Sequence, residues 1–342
     1  MSDFSCDWNY AWGGPVGSSD FKSCPEDFRV DEELPFEPVG EGEHVYVLVE
    51  KISENTDWVA GLLAKYLGIK QAQVSYAGRK DRQGVAKQWF CLCLPGQPDP
   101  NWDKFKSNTI KIIKQTRHLR KLRRGVLKYN YFEITLRSIA ADHNQLEQRL
   151  SLIATKGVPN YFGSQRFGRS NYNLQKAKAF FEGNIKISRN KRSIYLSAAR
   201  SWIFNNVLSS RVGEGLWSSC LVGDIFGFHT HNSLIFDEHS DELIQRVMAG
   251  ELSPTGPLWG SGCLKSGDQC RLREEMECDR YSLFCDGLEK AGIKQERRVL
   301  RLFPENMTWT WASDDTITLK FRLQKGCFAT AVLRELVTYN ET

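Results

Sequence analysis

The sequence predicts an α+β protein in which a sheet-forming unit is interrupted by an inserted one. Three observations carry this. His44–Lys51 (HVYVLVEK) is rich in β-branched and aromatic residues, as strands are. A helix-like stretch follows and a second strand begins near Val74, so the N-terminal part reads strand–helix–strand. Near the other end, Thr316–Leu323 (TITLKFRL) alternates apolar and polar residues, and Phe328–Val337 (FATAVLRELV) starts a helix. One strand and one helix cannot bury their own apolar faces, so the tail is expected to complete the first sheet. Between them the texture changes after Pro159 to helical periodicity over 171–182 and 194–212, where Ile194, Ala198, Trp202 and Ile203 share a face. Insertions are tolerated at surface positions with close termini. The expected units are 1–155 with 305–342, and 156–304 as the insertion.

Composition bounds the rest. The chain has 342 residues, room for about two domains of roughly 150 each. It is 41% hydrophobic and 25% charged with a net charge of +5, the balance of a soluble globular protein. Ten cysteines include no CxxC, and Cys263, Cys270, Cys278 and Cys285 are too widely spaced for usual zinc-ligand pairs. A chain of this size needs no disulfide staples, so reduced, mostly buried cysteines in a cytoplasmic protein are expected. The N-terminus MSDFSCDWNYAWGG has no apolar h-region, and no apolar run approaches 18 residues, so neither a signal peptide nor a membrane span is expected.

Residues 1–20 lack periodicity and read as a loosely packed arm. Phe28 and Val30 alternate with polar residues in a short strand. Asn55 or Thr56 can cap a helix over Asp57–Leu67, which Gly68 ends. Val74–Phe90 (VSYAGRKDRQGVAKQWF) follows: a strand end, a break at Gly78, the turn Arg79-Lys80-Asp81-Arg82, a second bend at Gly84, then a strand over Phe90–Leu94. One carboxylate sits among three cations, an arrangement that favours a charged Asp, and loops on rigid scaffolds are where chemistry sits.

Residues 104–128 hold ten Lys or Arg and no acid. TIKIIKQ can be a strand, and Arg117–Arg124 (RHLRKLRR) is a basic cluster ending at Gly125. Such density repels itself unless an anion neutralises it, and a phosphate backbone is the usual anion. Tyr129, Asn130, Tyr131 and Phe132 come next; rings beside cations can stack bases, although alternation over 131–137 shows that one face of this strand is buried. A helix is expected over 142–156 and a hairpin over 226–236. His229 and His231 in that hairpin have no third ligand in view, and no metal is assigned. Residues 254–267 read as loop and 274–292 as one helix.

Six stretches together resemble the TruD family of tRNA pseudouridine synthases: FKSCPEDFRVDEELPFEPVGEGEH at 21–44, VSYAGRKDRQGVAKQWF at 74–90, RHLRKLRRGVLKYNYFEITLR at 117–137, KGVPNYFGSQRFG at 156–168, NKRSIYLSAARS at 190–201 and GCFATAVLREL at 326–336. The resemblance runs along nearly the whole chain and is closest to proteobacterial members. It implies a mixed, largely antiparallel pseudouridine-synthase sheet with helices, in a discontinuous catalytic domain (1–155 and 305–342), and an inserted α/β family-specific domain (156–304). It implies isomerisation of uridine 13 in tRNA without cofactor, by a cytoplasmic monomer with no obligate protein partner and no membrane contact.

By the family pattern Asp81 is the nucleophile and Lys22 pairs with it. Phe28, Asn130 and Phe328 fall on positions that contact the target nucleotide, and Phe132 stands where most other pseudouridine synthase families have Tyr. Arg79, Lys80, Arg120, Lys121, Arg123, Arg124 and Arg166 are the candidate contacts to the RNA backbone. Gly84 departs from the pattern, which usually has a small Ala two or three residues after the Asp, and it predicts a looser loop. The residues show no GxGxxG and no GxxxxGK[ST], in keeping with an isomerisation that gains no electrons or groups. The competing reading is a non-catalytic tRNA-binding or RNA-folding factor with the same fold. A metal-assisted or phosphate-loop hydrolase finds no motif here.

Overall fold

The computed structural model describes residues 4–231, 233–236 and 240–341. The chain forms two compact units, each discontinuous in sequence. One comprises 17–143, 304–326 and 338–342; the other comprises 1–16, 144–303 and 327–337.

The first unit is built on a ten-stranded sheet. Along its main path the strands run Glu305–Ser313, Thr316–Gln324, Tyr129–Ala141, Phe28–Glu33, Val85–Cys93, His44–Ile52 and Ile110–His118. All neighbours on this path are antiparallel except Phe28–Glu33 with Val85–Cys93. The tail strand Thr316–Gln324 joins the sheet as its alternation predicts, with Ile317, Leu319, Phe321 and Leu323 all buried. The last strand, Thr338–Glu341, pairs parallel with Gly17–Phe21, a contact that no local pattern announces.

The helix Thr56–Leu67 starts where the Asn55 side chain accepts a hydrogen bond from the Asp57 N–H. It stops at Gly68, whose φ of 66° only glycine adopts readily. This helix carries the chain from His44–Ile52 to the short strand Val74–Tyr76. The two strands are not neighbours: Val85–Cys93 runs between them, antiparallel to both. The strand–helix–strand unit is therefore a split one, and its opening holds the loop 77–84.

The second unit has the long helix Arg189–Gly213 at its centre. Ala198, Trp202 and Ile203 are buried as its periodicity predicts, but Ile194 is 40% exposed. Tyr195, Leu196, Ala199, Phe204, Val207 and Leu208 are also buried, so this helix is covered on more than one face. The N-terminal segment belongs to this core. Trp8 stacks on Tyr161 at 5.6 Å and meets Phe167 and Trp202, and Phe4 meets Trp202 and Phe284. The expected loose arm is thus a packed one, because its large rings find an aromatic core.

Three other expectations are revised. Part of the loop expected at 254–267 is the strand Leu252–Leu258, which carries Pro254 and Pro257 and is antiparallel to its neighbours Phe226–Phe228 and Glu296–Val299. The single helix expected over 274–292 is two, Asp268–Asp279 and Ser282–Lys290. The helix beginning at the tail is short, Ala329–Leu333, and belongs to the second unit. The hairpin pairs Phe226–Phe228 with Leu234–Ile235. The cysteines are unbridged; Cys91, Cys270, Cys278 and Cys285 are buried, Cys263 is exposed and the others lie between.

Candidate active site

The Asp81 loop lies where one edge of Val85–Cys93 changes partner. Along that edge Phe28–Glu33 pairs with residues 85–87, and Val74–Tyr76 pairs with residues 90–92. Neither partner reaches the backbone between, and the Trp89 N–H there has no strand to bond. The Glu32 carboxylate fills the gap, accepting from Trp89 N at 2.9 Å. Its other oxygen lies 3.1 Å from Lys80 Nζ. Burial pushes the Glu32 carboxyl above its usual range, while Lys80 and the Trp89 N–H pull it down.

Lys80 also donates to Asn130 Oδ1. Its side chain is only 7% exposed. Lys80 is therefore not the outward RNA-backbone contact expected of it; a buried carboxylate and an amide hold it inward.

Three more side chains set the loop's path. Lys51 is fully buried and donates to the backbone carbonyls of Glu54 and Asp81, at 2.7 and 2.8 Å. Burial lowers its ammonium to about 8, although Asp81 draws it upward. Thr56 Oγ1 accepts from Lys80 N at 3.1 Å and donates to Gln88 Oε1 at 3.0 Å. Gln88 Nε2 donates to the Gly78 carbonyl at 2.5 Å. The loop's main chain is thus pinned at Gly78, Lys80 and Asp81, while Asp81 itself is exposed. Glu32, Lys51, Thr56 and Gln88 do not stand out in the sequence, because a buried polar residue on a strand or helix end reads there as a solvated one. The alternation in FRVDEE, which puts Glu32 on the face of Phe28 and Val30, is the one signal that could have found Glu32.

Gly84 closes the loop, and the expectation of looseness is overturned. It is buried, its φ is 128°, and its carbonyl accepts from Ser53 N at 2.9 Å. A Cβ there would lie 2.5 Å from the Phe28 carbonyl oxygen and 2.8 Å from Phe28 Cδ1. The missing side chain makes the fit tight.

Phe28 connects this loop to a ring cluster. It is 3% exposed and lies against Phe21 at 5.7 Å and Phe132 at 5.9 Å, and Phe132 stacks on Phe321 at 5.6 Å. Lys22, at a φ of 61°, has its Nζ 4.5 Å from the Phe28 ring centroid and 4.9 Å from that of Phe21. Phe28 and Phe132 form part of the packed floor in this conformation, with little ring surface left for a base.

The basic loop leans on the same region. Leu122 is buried with Tyr46, Ala77, Trp89 and Cys91, and Gly125 N donates to the Ala77 carbonyl at 2.7 Å. Around that apolar pin Arg120, Lys121, Arg123 and Arg124 are all exposed. Arg124 lies over the Tyr76 ring at 5.6 Å. Arg79 is exposed too, but pairs with Asp57 at 2.9 Å. Arg117, which sequence groups with this cluster, binds Asp99 and the Gly42 and Gln97 carbonyls.

Phe328 and Arg166 lie in the other unit. Phe328 meets Phe162 edge-on at 5.7 Å, and the Arg166 guanidinium lies 5.6 Å from the Phe328 ring. In the same unit His229 is edge-on to Phe303, and His231 lies on Phe228. Among the described residues no three His, Cys, Asp or Glu side chains gather as a metal site, and no helix is long and apolar enough to cross a membrane.

Comparison with known proteins bears on the whole chain. The family model described as tRNA pseudouridine synthase D (TruD) matches residues 9–185 and 172–336. The chain is 46% identical over 334 residues to the tRNA pseudouridine synthase D of Aeromonas salmonicida, covering 97% of this chain and 94% of that one. It is 43% identical over 328 residues to that of Hydrogenovibrio crunogenus, covering 96% and 95%. A crystal structure from Methanosarcina mazei, described as a putative tRNA pseudouridine synthase D, superposes with a TM-score of 0.72 at 20% identity, covering 96% of this chain and 95% of that one, which shows the fold. The chain belongs to the TruD family of tRNA pseudouridine synthases.

Proposed function

We propose that this enzyme converts uridine 13 of tRNA to pseudouridine with Asp81 as the nucleophile. The observation that supports the reading is the buried scaffold beneath an exposed Asp81: Lys51 on its carbonyl, and Glu32–Lys80–Asn130 alongside. A pure RNA binder gains nothing from a carboxylate held forward beside phosphate, whereas covalent catalysis needs one preorganised.

The reaction breaks the bond from ribose C1′ to uracil N1, turns the base, and joins C1′ to C5; the C5 hydrogen leaves as a proton and N1 gains one. Asp81 takes the ribose fragment at C1′, or removes a ribose proton to give a glycal, while the uracil rotates. The base must leave its stack to be reached. Lys80 fixes the amide of Asn130 and leaves its Nδ2 to read the uracil edge or a ribose hydroxyl. Phe28 and Phe132 support the target nucleotide from the sheet side; Phe328, in the other unit, is assigned to it by the family resemblance alone. Lys22 offsets the desolvation of Asp81 in the RNA complex. The basic loop holds the tRNA backbone, and the protein acts in the cytoplasm as a monomer, without an obligate protein partner or a cofactor. Residues 1–155 and 305–342 carry the catalytic domain, and 156–304 the family-specific one.

The test is tritium release from tRNA transcribed with 5-³H-uridine. The wild type releases tritium, and Asp81→Asn releases none while binding tRNA within a few fold. Release by Asp81→Asn at the wild-type rate rejects the nucleophile, and blank assays for both with tRNA bound favour the binding-factor reading.

A further inference from the structure

The second unit brings two guanidiniums against a shared aromatic ring, and among the described residues neither has an acid to neutralise it. Arg298 lies 4.2 Å from the Phe162 ring centroid and 5.6 Å from that of Phe204. Arg166 lies 5.4 Å from Phe162 and 5.6 Å from Phe328. Both therefore border Phe162. Burial pushes the Arg298 guanidinium down, and the like charge of Arg166 adds to it against an opposing pull from Cys327. Among the described residues neither arginine meets a carboxylate. Arg298 donates to Asn160 Oδ1 at 2.5 Å, a neutral partner. The Nε atoms of both arginines are buried without an acceptor, and so is Thr330 Oγ1. That hydroxyl is close by, since a Cβ on Gly163 would lie 2.5 Å from Thr330 Oγ1 and 3.7 Å from Phe328 Cδ1.

Folded chains seldom leave buried donors unmet, and like charges brought together in an apolar pocket are costly. Elsewhere in this unit Arg211 is matched with Asp224 and Arg297 with Glu274, and the buried Arg301 gives its Nε to the Lys156 carbonyl at 2.7 Å. The pair at Phe162 differs from them, and what it lacks is an anion with several acceptor oxygens. Phosphate fits a guanidinium fork, and aromatic walls suit the base or ribose beside it.

We propose that Arg166 and Arg298, walled by Phe162 and Phe328 and helped by Thr330, form a subsite for one phosphodiester of the RNA substrate. The inference rests on the reading of this protein as an enzyme acting on tRNA. It extends the expectation for Arg166 alone to a two-arginine site on residues far apart in sequence.

The experiment has two arms. In the first, the thermal midpoint of the free protein is read in inorganic phosphate against chloride at equal ionic strength. Phosphate raises the wild-type midpoint by about 1–2 °C, the shift of roughly one ligand-linked kcal/mol for a protein of this size. Arg166→Gln and Arg298→Gln lose that increment, while Arg298→Lys keeps part of it. In the second arm, tRNA binding is followed against salt. Each Gln variant weakens binding about tenfold and lowers the log–log slope by about one.

Phosphate stabilisation with unchanged tRNA affinity and slope marks a free-anion site and overturns the RNA assignment. The same midpoint shift in wild type and both Gln variants overturns the site itself. Neither arm reads isomerisation. If the wild type binds tRNA through these arginines but releases no tritium, the catalytic reading fails and the subsite stands. If tritium is released and the slopes are unchanged, the subsite fails and the catalytic reading stands. Should Arg298→Gln not fold, Arg166→Gln and Arg298→Lys carry both arms.

Discussion

Gly84 shows how much one absent side chain can decide. Its φ of 128° and the 2.5 Å gap to the Phe28 carbonyl leave no place for a methyl group. Gly84→Ala should therefore displace the loop rather than stiffen it, at a cost of about 1–3 kcal/mol. A large drop in tritium release with a lowered unfolding midpoint is expected; wild-type values for both would refute the tight fit. Lys51 offers a second residue-scale test. Its ammonium titrates near 8 in the folded protein and near 10.5 in the unfolded chain. Between these values the unfolded chain binds the extra proton, so folding becomes more favourable as pH rises from about 8 to 10.5. Denaturant titrations across that range should show wild type gaining stability relative to Lys51→Met, and parallel curves would argue against the depressed titration. The sequence points to Asp81 and Asn130 but not to Lys51 or Glu32. Their chemistry comes from what surrounds them, which residue type alone does not carry.

The elements that hold the site are a split strand–helix–strand and two loops. The 77–84 loop leaves the sheet where Val85–Cys93 changes partner, so its main-chain groups are met by Gln88, Thr56 and Lys51 side chains rather than by a strand. The basic loop has one inward residue, Leu122, and an outward ring of cations. Replacing Arg120, Lys121, Arg123 and Arg124 with Ala should weaken tRNA binding and flatten its salt dependence, by about one unit of slope for each phosphate no longer neutralised. An unchanged slope would remove this loop from the interface. Folding should be little altered, since none of the four is buried. Lys80 stands apart from them: as half of a buried pair with Glu32, Lys80→Met should cost about 3–5 kcal/mol by leaving the carboxylate alone.

On the scale of the molecule, both units are assembled from distant parts of the chain. The core of the second takes Trp8 from the N-terminus, and Trp8→Ala should cost about 3–5 kcal/mol by opening a cavity against Tyr161, Phe167 and Trp202. A cost below about 1 kcal/mol in chemical denaturation would return the segment to a loose arm.

Local pattern alone determined the strands at 44–51 and 316–323, a cap at Asn55 or Thr56, the stop at Gly68 and the basic cluster, because periodicity, capping and charge density are written over a few neighbouring residues. The motifs likewise determined the family. Only tertiary structure decided that Lys80 turns inward, that Gly84 tightens the loop, that Trp8 is core, and that Arg166 and Arg298, 132 residues apart in the chain, border the same Phe162 ring. Each of these depends on which distant backbone or ring comes within a few ångströms, and burial then sets whether a charge is solvated, paired or left seeking an anion.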